Sequence, residues 1–110
     1  MPPPPPPSEN HVRYWILELP TSDPNRRDVH QLDCVEAPGA LVLFTSEEIA
    51  LRFRDGGLTP DWMVTPLSRD EATAYLADMH ELGAEHVAFD PAPGRENEAL
   101  RIYEGICRLT

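Results

Sequence analysis

Apolar and polar positions alternate with two different periods along this chain, and the change of period marks successive strands and helices. The segment 12–19 is rich in aromatic and branched residues and stops at Pro20, which predicts a first strand. The segment 29–35 alternates more weakly, and we expect it to return antiparallel to the first strand. After Pro38 and Gly39, the unbroken apolar run 40–44 predicts a strand that is covered on both faces.

Capping-box patterns predict where two helices begin. Residues 45–48, Thr-Ser-Glu-Glu, predict a helix that Thr45 caps and that ends at Gly56 and Gly57. A short apolar run at 62–65 then predicts another strand, which Pro66 closes. Residues 68–71, Ser-Arg-Asp-Glu, form the second box.

The helix that follows this second box has the clearest period in the chain. Its apolar residues recur at spacings of three and four up to Leu82, and Gly83 occupies the place of a left-handed C-terminal cap. Residues 86–89 predict a further strand, and residues 99–109 predict a C-terminal helix that Gly105 weakens.

The order strand, helix, strand, helix, strand over residues 40–89 predicts an α/β fold, because such connections usually join parallel neighbouring strands. We expect a mixed sheet of about five strands with a βαβαβ core, antiparallel N-terminal strands and about three flanking helices. Residues 1–10 contain an unbroken proline run and predict a disordered Pro-rich tail. Residues 11–110 then form a single α/β domain, whose length suits one modest core.

Charge and composition narrow the classes of partner. The 110 residues include 19 acidic and 9 basic side chains, which give a formal net charge of −10. This sign argues against nucleic acid and anionic membranes as partners. Cys34 and Cys107 lie in apolar segments, and we interpret them as buried thiols, with a disulfide as the alternative. No signal-peptide pattern or apolar stretch of membrane-spanning length occurs, which predicts a cytoplasmic protein.

A ligand site is predicted at the carboxyl ends of the parallel strands, where helix N-termini present free amides in α/β sheets. Several of these residues also have a plain explanation as helix caps. The candidates for binding a small anion are Thr45, Ser46, Ser68, Arg69, Asp90 and Arg95.

No catalytic residues, cofactor or metal site are predicted. The segment from His80 to His86 holds two histidines and two glutamates, but six residues separate the histidines and Gly83 interrupts the helix between them. This spacing does not match the helical zinc-protease motif. Neither a nucleophile elbow nor a phosphate-binding glycine loop occurs.

Two short stretches resemble the N-terminal domain of the bacterial SseB family. They are residues 43–48, Leu-Phe-Thr-Ser-Glu-Glu, and residues 83–91, which end in Asp90 and Pro91. The resemblance extends over roughly residues 40–109, and Asp90 stands where the family usually has Asn. It implies a small bacterial cytoplasmic α/β domain that acts through protein contacts and has no established catalytic residues. In that comparison Phe44, Thr45 and Pro91 have structural roles only.

The sequence favours a noncatalytic protein-interaction or regulatory module over an enzyme, and a homodimer remains open through the first strand as an exposed edge. The alternative is a domain that binds a small molecule or an anion through the strand-end residues above, and an enzyme is one form that this alternative takes.

Overall fold

The computed structural model describes residues 13–23, 28–58, 60–92 and 97–109, and these residues form an α/β fold. The predicted Pro-rich tail at 1–10 and the candidate residue Arg95 lie outside the described residues. Within those ranges the elements follow the order β1 (Arg13–Leu19), β2 (Asp28–Val29), β3 (Gln31–Cys34), β4 (Ala37–Leu43), α1 (Glu47–Gly57), β5 (Met63–Ser68), α2 (Arg69–Glu81), β6 (His86–Phe89), β7 (Leu100–Arg101) and α3 (Ile102–Leu109).

The described strands form two sheets that meet at β1 and β4. One sheet has the antiparallel order β2-β1-β5, and the other has the mixed order β3-β4-β6-β7. The join is an antiparallel bridge in which Trp15 and Phe44 exchange two backbone hydrogen bonds of 2.9 Å. The mixed α/β class is therefore confirmed, whereas the expected single sheet of about five strands is wrong, because seven strands are present in the described part of the chain.

The expected set of three adjacent parallel strands is also wrong, because β1 lies between β4 and β5. β4 and β6 are parallel neighbours, as expected. β5 runs in the same direction as β4, but it pairs antiparallel with β1 from Arg13 opposite Ser68 to Glu18 opposite Met63. With β5 on one edge of β1 and Phe44 and β2 on the other, β1 is not the exposed edge through which we expected a homodimer to form.

Pro66 lies inside β5 instead of closing it, and the register explains why the strand tolerates it. Trp15 directs its backbone N–H and C=O toward Phe44, so its neighbours Tyr14 and Ile16 direct theirs toward β5. Pro66 is opposite Trp15, and its missing N–H therefore falls on the outer edge of β5, with which none of the described strands pairs.

The segment predicted as one strand over 29–35 is divided between the two sheets. Asp28–Val29 pairs with β1, as expected, and the backbone N–H of His30 donates to Leu17 O at 2.9 Å. From Gln31 onward the chain pairs with β4 instead, and a register shift follows between Leu32 and Cys34. This segment therefore leaves β1 at the point where β1 begins to pair with Phe44.

The core has two clusters because the central strands are apolar on both faces. Alternate residues of β4 divide between them: Leu41 and Leu43 face one cluster, while Val42 and Phe44 face the other. Leu76 of α2 and Ile102 of α3 cover the first cluster, and Ala50 and Phe53 of α1 cover the second. The prediction that residues 40–44 are covered on both faces is confirmed, since each is at most 1% exposed.

The helix boundaries agree with the capping patterns at one helix and differ at two. Ser68 and Glu71 make the expected reciprocal capping box at the start of α2, and Gly83 has the expected positive φ of 107°. The cap of α1 is Ser46 and not Thr45, because Ser46 Oγ accepts from Ile49 N at 3.1 Å. α3 begins at Ile102, because Leu100–Arg101 pairs with β6 as a strand.

Cys34 and Cys107 form no disulfide, but they are not buried as expected. Cys34 is half-buried and Cys107 is exposed. None of the helices in the described part of the chain has the length and hydropathy needed to cross a membrane.

Candidate functional site

The ends of the parallel strands β4 and β6 are joined by Thr45 and Asp90. The Asp90 carboxylate accepts the Thr45 backbone N–H through Oδ1 at 2.8 Å and the Thr45 hydroxyl through Oδ2 at 2.6 Å. The Asp90 N–H in turn donates to Leu43 O at 2.9 Å and extends the ladder between the two strands. Thr45 and Asp90, both predicted as ligand residues, are thus brought together and bind each other.

Asp90 has a backbone conformation that few residues adopt. Its φ is 48°, in the left-handed region, where aspartate and asparagine are several-fold enriched among non-glycine residues. This conformation comes directly before Pro91 and after the end of β6. The two hydrogen bonds from Thr45 hold the carboxylate across the strand ends.

The serines predicted at this edge act as helix caps. Ser46 Oγ accepts from Ile49 N, and Ser68 Oγ accepts from Glu71 N at 3.1 Å. The Glu71 carboxylate reaches back to Ser68 N at 2.9 Å and completes the box. The amides of Ile49, Ser68 and Glu71 therefore already have acceptors within the chain and are not available to a bound anion.

Ser68 and Arg69 lie at the same edge as Thr45 but not beside it. The N-terminal end of β1 separates β5 from β4, so Ser68 is about two strand spacings, roughly 10 Å, from Thr45. Arg69 is half-exposed at the first position of α2. The negative Asp90 carboxylate occupies the Thr45 donors and repels a second anion, which weighs against the anion-binding hypothesis at this edge.

A cleft opens at the opposite, amino-terminal end of β6, and we refer to it as the α2–α3 cleft. Its volume is about 350 Å³. The residues that line it come from the end of α2, the start of β6, β7 and the start of α3: His80, Glu85, His86, Arg101, Ile102 and Tyr103.

Strand pairing and a helix end bring these side chains together. His86 and Arg101 are directly opposite in the antiparallel pair of β6 and β7, so their side chains leave the same face of the sheet. The N–H of Ile102 donates to Glu85 O at 3.1 Å and fixes the start of α3 against β6. At the end of α2, the turn through Gly83 places Ala84 O 2.9 Å from Nδ1 of His80.

The cleft shows which residues the sequence interpretation missed. Arg101 and Tyr103 were assigned to the predicted helix 99–109, where nothing connects them with His86. The available signal was the pair of histidines at 80 and 86, which was considered only as a metal motif. In the residues described by the structure, no group of three or more His, Cys, Asp or Glu side chains is arranged to hold a metal ion.

Outside both strand ends, His30 and Cys34 have pKa values that burial shifts. His30 is half-buried against the rings of Phe53 and Trp62, with centroid distances of 5.6 Å and 5.1 Å, and this burial lowers its pKa below 6.5. Burial, and secondly the negative charge of Asp33, raises the pKa of the Cys34 thiol above 9.0. Both changes favour the neutral form, which fits packing roles better than acid–base or nucleophilic chemistry.

No protein-family model matches the sequence, and no curated protein matches it. The residues and contacts described above are therefore the basis on which a function is inferred for this chain.

Proposed function

We propose that the chain is a noncatalytic protein-interaction or regulatory module of the cytoplasm, as its resemblance to the SseB N-terminal domain also suggests. The observation that carries this proposal is the exposure of Leu82 beside an acidic helix face. Leu82 caps the end of α2, and 81% of its surface is accessible. An apolar side chain of this size gains about 1.5–3 kcal/mol when it is fully buried, which a partner surface would provide.

The outward face of α2 supplies charge around this apolar residue. Five of the exposed positions of α2 are spaced as one helical face, and they consist of three carboxylates and two small residues: Asp70, Ala74, Ala77, Asp78 and Glu81. We call this set together with Leu82 the α2 face. The side chains of the two alanines are short, so a partner is able to approach the helix backbone closely.

A partner with basic side chains and an apolar pocket fits the α2 face. Protein interfaces commonly have an apolar centre with a polar rim, and opposite charges on the two surfaces accelerate encounter. The net charge of −10 acts in the same direction over longer distances and is screened by salt.

The experiment isolates partners with the full chain at low and high salt and then repeats the capture with surface variants. Leu82→Ser should abolish capture, and Asp78→Asn with Glu81→Gln should weaken it mainly at low salt. The matched control is Val35→Ser, because Val35 is also apolar and 50% exposed but lies in the β3–β4 turn.

Two results would oppose the proposal. Partners that bind the Leu82→Ser chain as well as the original would show that the α2 face is not the interface. Binding of inorganic phosphate that is lost in Arg69→Ala would instead support the alternative, an anion-binding site at the strand-end edge.

A further inference from the structure

The α2–α3 cleft contains two opposite charges that do not neutralise each other. Arg101 and Glu85 both line it, yet neither makes an ion pair with any residue in the described part of the chain. Arginine is always protonated in proteins, and its planar group binds carboxylates through two parallel hydrogen bonds. The cleft therefore offers a carboxylate-binding cation and, separately, a carboxylate able to accept from an ammonium group.

His80 adds a second acceptor whose tautomer is determined by its neighbour. A carbonyl oxygen only accepts hydrogen bonds, so the 2.9 Å contact with Ala84 O requires that Nδ1 of His80 carry the hydrogen. In the neutral ring Nε2 then has a free lone pair. Two acceptors, from Glu85 and His80, thus share the cleft with the Arg101 donor.

The remaining lining consists of the half-buried His86 and of two residues with apolar side-chain surface, Ile102 and Tyr103. Ile102 is buried beneath the cleft, with 1% of its surface accessible, and the Tyr103 ring is 62% exposed. An exposed aromatic ring at the wall of a cleft is suited to covering an apolar group of a ligand. The volume of about 350 Å³ is near the small end of ligand pockets, which suits a compact metabolite.

We propose that the α2–α3 cleft binds a free α-amino acid with an apolar or aromatic side chain. The ligand carboxylate pairs with Arg101, its ammonium group donates to Glu85 and His80, and its side chain packs on the exposed ring of Tyr103. A zwitterion pairs with both charges at once. A simple anion offers no positive group to Glu85, and a simple cation offers no negative group to Arg101. The cleft adjoins the α2 face but shares no lining residue with it, and its test needs no protein partner.

The test is a titration of the isotopically labelled full chain with L-phenylalanine and L-leucine, followed by amide chemical shifts. We expect saturable shifts confined to residues 80–86 and 100–103. Three probes each lack one part of the ligand: 3-phenylpropanoate has no ammonium group, 2-phenylethylamine has no carboxylate, and glycine has no apolar side chain. Each should bind about tenfold more weakly or worse, since charged hydrogen bonds and buried apolar groups have effects of this size.

Variants separate specific binding from general effects of charge. Arg101→Gln and Glu85→Gln should each weaken L-phenylalanine binding about tenfold or more. The control is Arg52→Gln, which removes an arginine that pairs with Glu48 on the surface of α1, and it should leave the affinity unchanged. Amide spectra of each variant without ligand verify that the fold is retained.

Three outcomes would overturn the proposal. The first is the absence of saturable shifts with both amino acids. The second is equal affinity for 3-phenylpropanoate and L-phenylalanine, which would show that the cleft recognises only an anion. The third is equal binding by Arg101→Gln and the original chain.

Discussion

At Gly105, α3 packs so closely against β6 that the effect of adding a side chain can be estimated. It is buried within α3, and a Cβ at this position would lie 2.5 Å from Cγ1 of Val87 on β6. Carbon atoms in good contact are about 3.5–4.0 Å apart, so Gly105→Ala requires a shift of about 1 Å or more. The sequence interpretation treated this glycine only as a weak point in the helix, whereas the structure shows that its missing side chain permits the close approach of α3 to β6.

The neighbours leave little freedom for that shift. Val87 is fully buried, and its branched side chain is stiff at χ1. Leu76 Cδ1 and Phe89 Cε2 would already be in ordinary contact with the new methyl group at 3.6 Å each. Overpacking typically costs about 1–3 kcal/mol, and better helix propensity returns up to about 1 kcal/mol. We therefore expect Gly105→Ala to lower the free energy of unfolding by about 1–2 kcal/mol.

The assay is equilibrium unfolding in urea, followed by tryptophan fluorescence and far-UV circular dichroism to test for two-state behaviour. Combining Gly105→Ala with Val87→Ala removes the clashing methyl groups. The double variant should be more stable than the sum of the single effects indicates, by about 1–2 kcal/mol. Gly57→Ala is the matched control: Gly57 is the last residue of α1, and nothing lies within 4 Å of the place that its Cβ would take, so it should be neutral or slightly stabilising.

Two results would refute this reasoning. If Gly105→Ala stabilises the chain as much as Gly57→Ala does, the space between α3 and β6 accommodates a methyl group and the expected clash with Val87 does not occur. If the effects of Gly105→Ala and Val87→Ala add within about 0.5 kcal/mol, the two side chains are not in conflict.

Three further expectations concern single side chains. Asp90→Ala should lower the free energy of unfolding by about 2 kcal/mol, because both Thr45 donors lose their acceptor. Asp90→Asn keeps an oxygen for Thr45 N and should lower it less. Equal losses of the two variants in urea unfolding would contradict this. Because the pKa of His30 is lowered, the unfolded chain binds a proton that the folded chain excludes, so stability is fully present above pH 6.5 and is lost as the pH falls below that value. This part of the loss should be missing in His30→Gln, and identical pH dependence of the two chains would exclude it. Because burial and Asp33 raise the pKa of Cys34, this thiol should react with iodoacetamide more slowly in the folded chain than in urea. Asp33→Asn should increase the rate in the folded chain. Mass spectrometry of the labelled peptide measures both rates.

Local patterns predicted the elements well, because the physics that determines them is short-range. The Ser68 capping box, the left-handed Gly83 and the doubly covered strand at 40–44 each depend on a few neighbouring residues, and all three are confirmed. The α1 cap failed by one residue because the competing partner of Thr45 is Asp90, which is 45 residues away in the chain. No local rule includes such a contact.

Strand order was the part that local patterns did not determine. The run of strand, helix and strand is compatible both with adjacent parallel strands and with a third strand inserted between them. Here β1 is that inserted strand, and its apolar residues on both faces, Ile16 and Leu17, suit a central position. The aromatic and branched residues that predicted a strand at 12–19 are consistent with its central place, but the exposed-edge interpretation neglected that both faces of this strand are buried.

The two ends of the parallel pair β4–β6 have opposite chemical character, and this contrast bears on where a ligand binds. Open α/β sheets usually bind ligands at the carboxyl ends of their strands, because helix amides there lack partners. In this chain Asp90 takes the amide and hydroxyl of Thr45, while Ser46 and the Ser68–Glu71 box satisfy amides of α1 and α2. At the amino end of β6, by contrast, pairing with β7 places Arg101 opposite His86 without an ion-pair partner in the described residues. Unsatisfied charge, and not the usual position in the fold, is therefore the ground on which the proposed ligand site lies in the α2–α3 cleft.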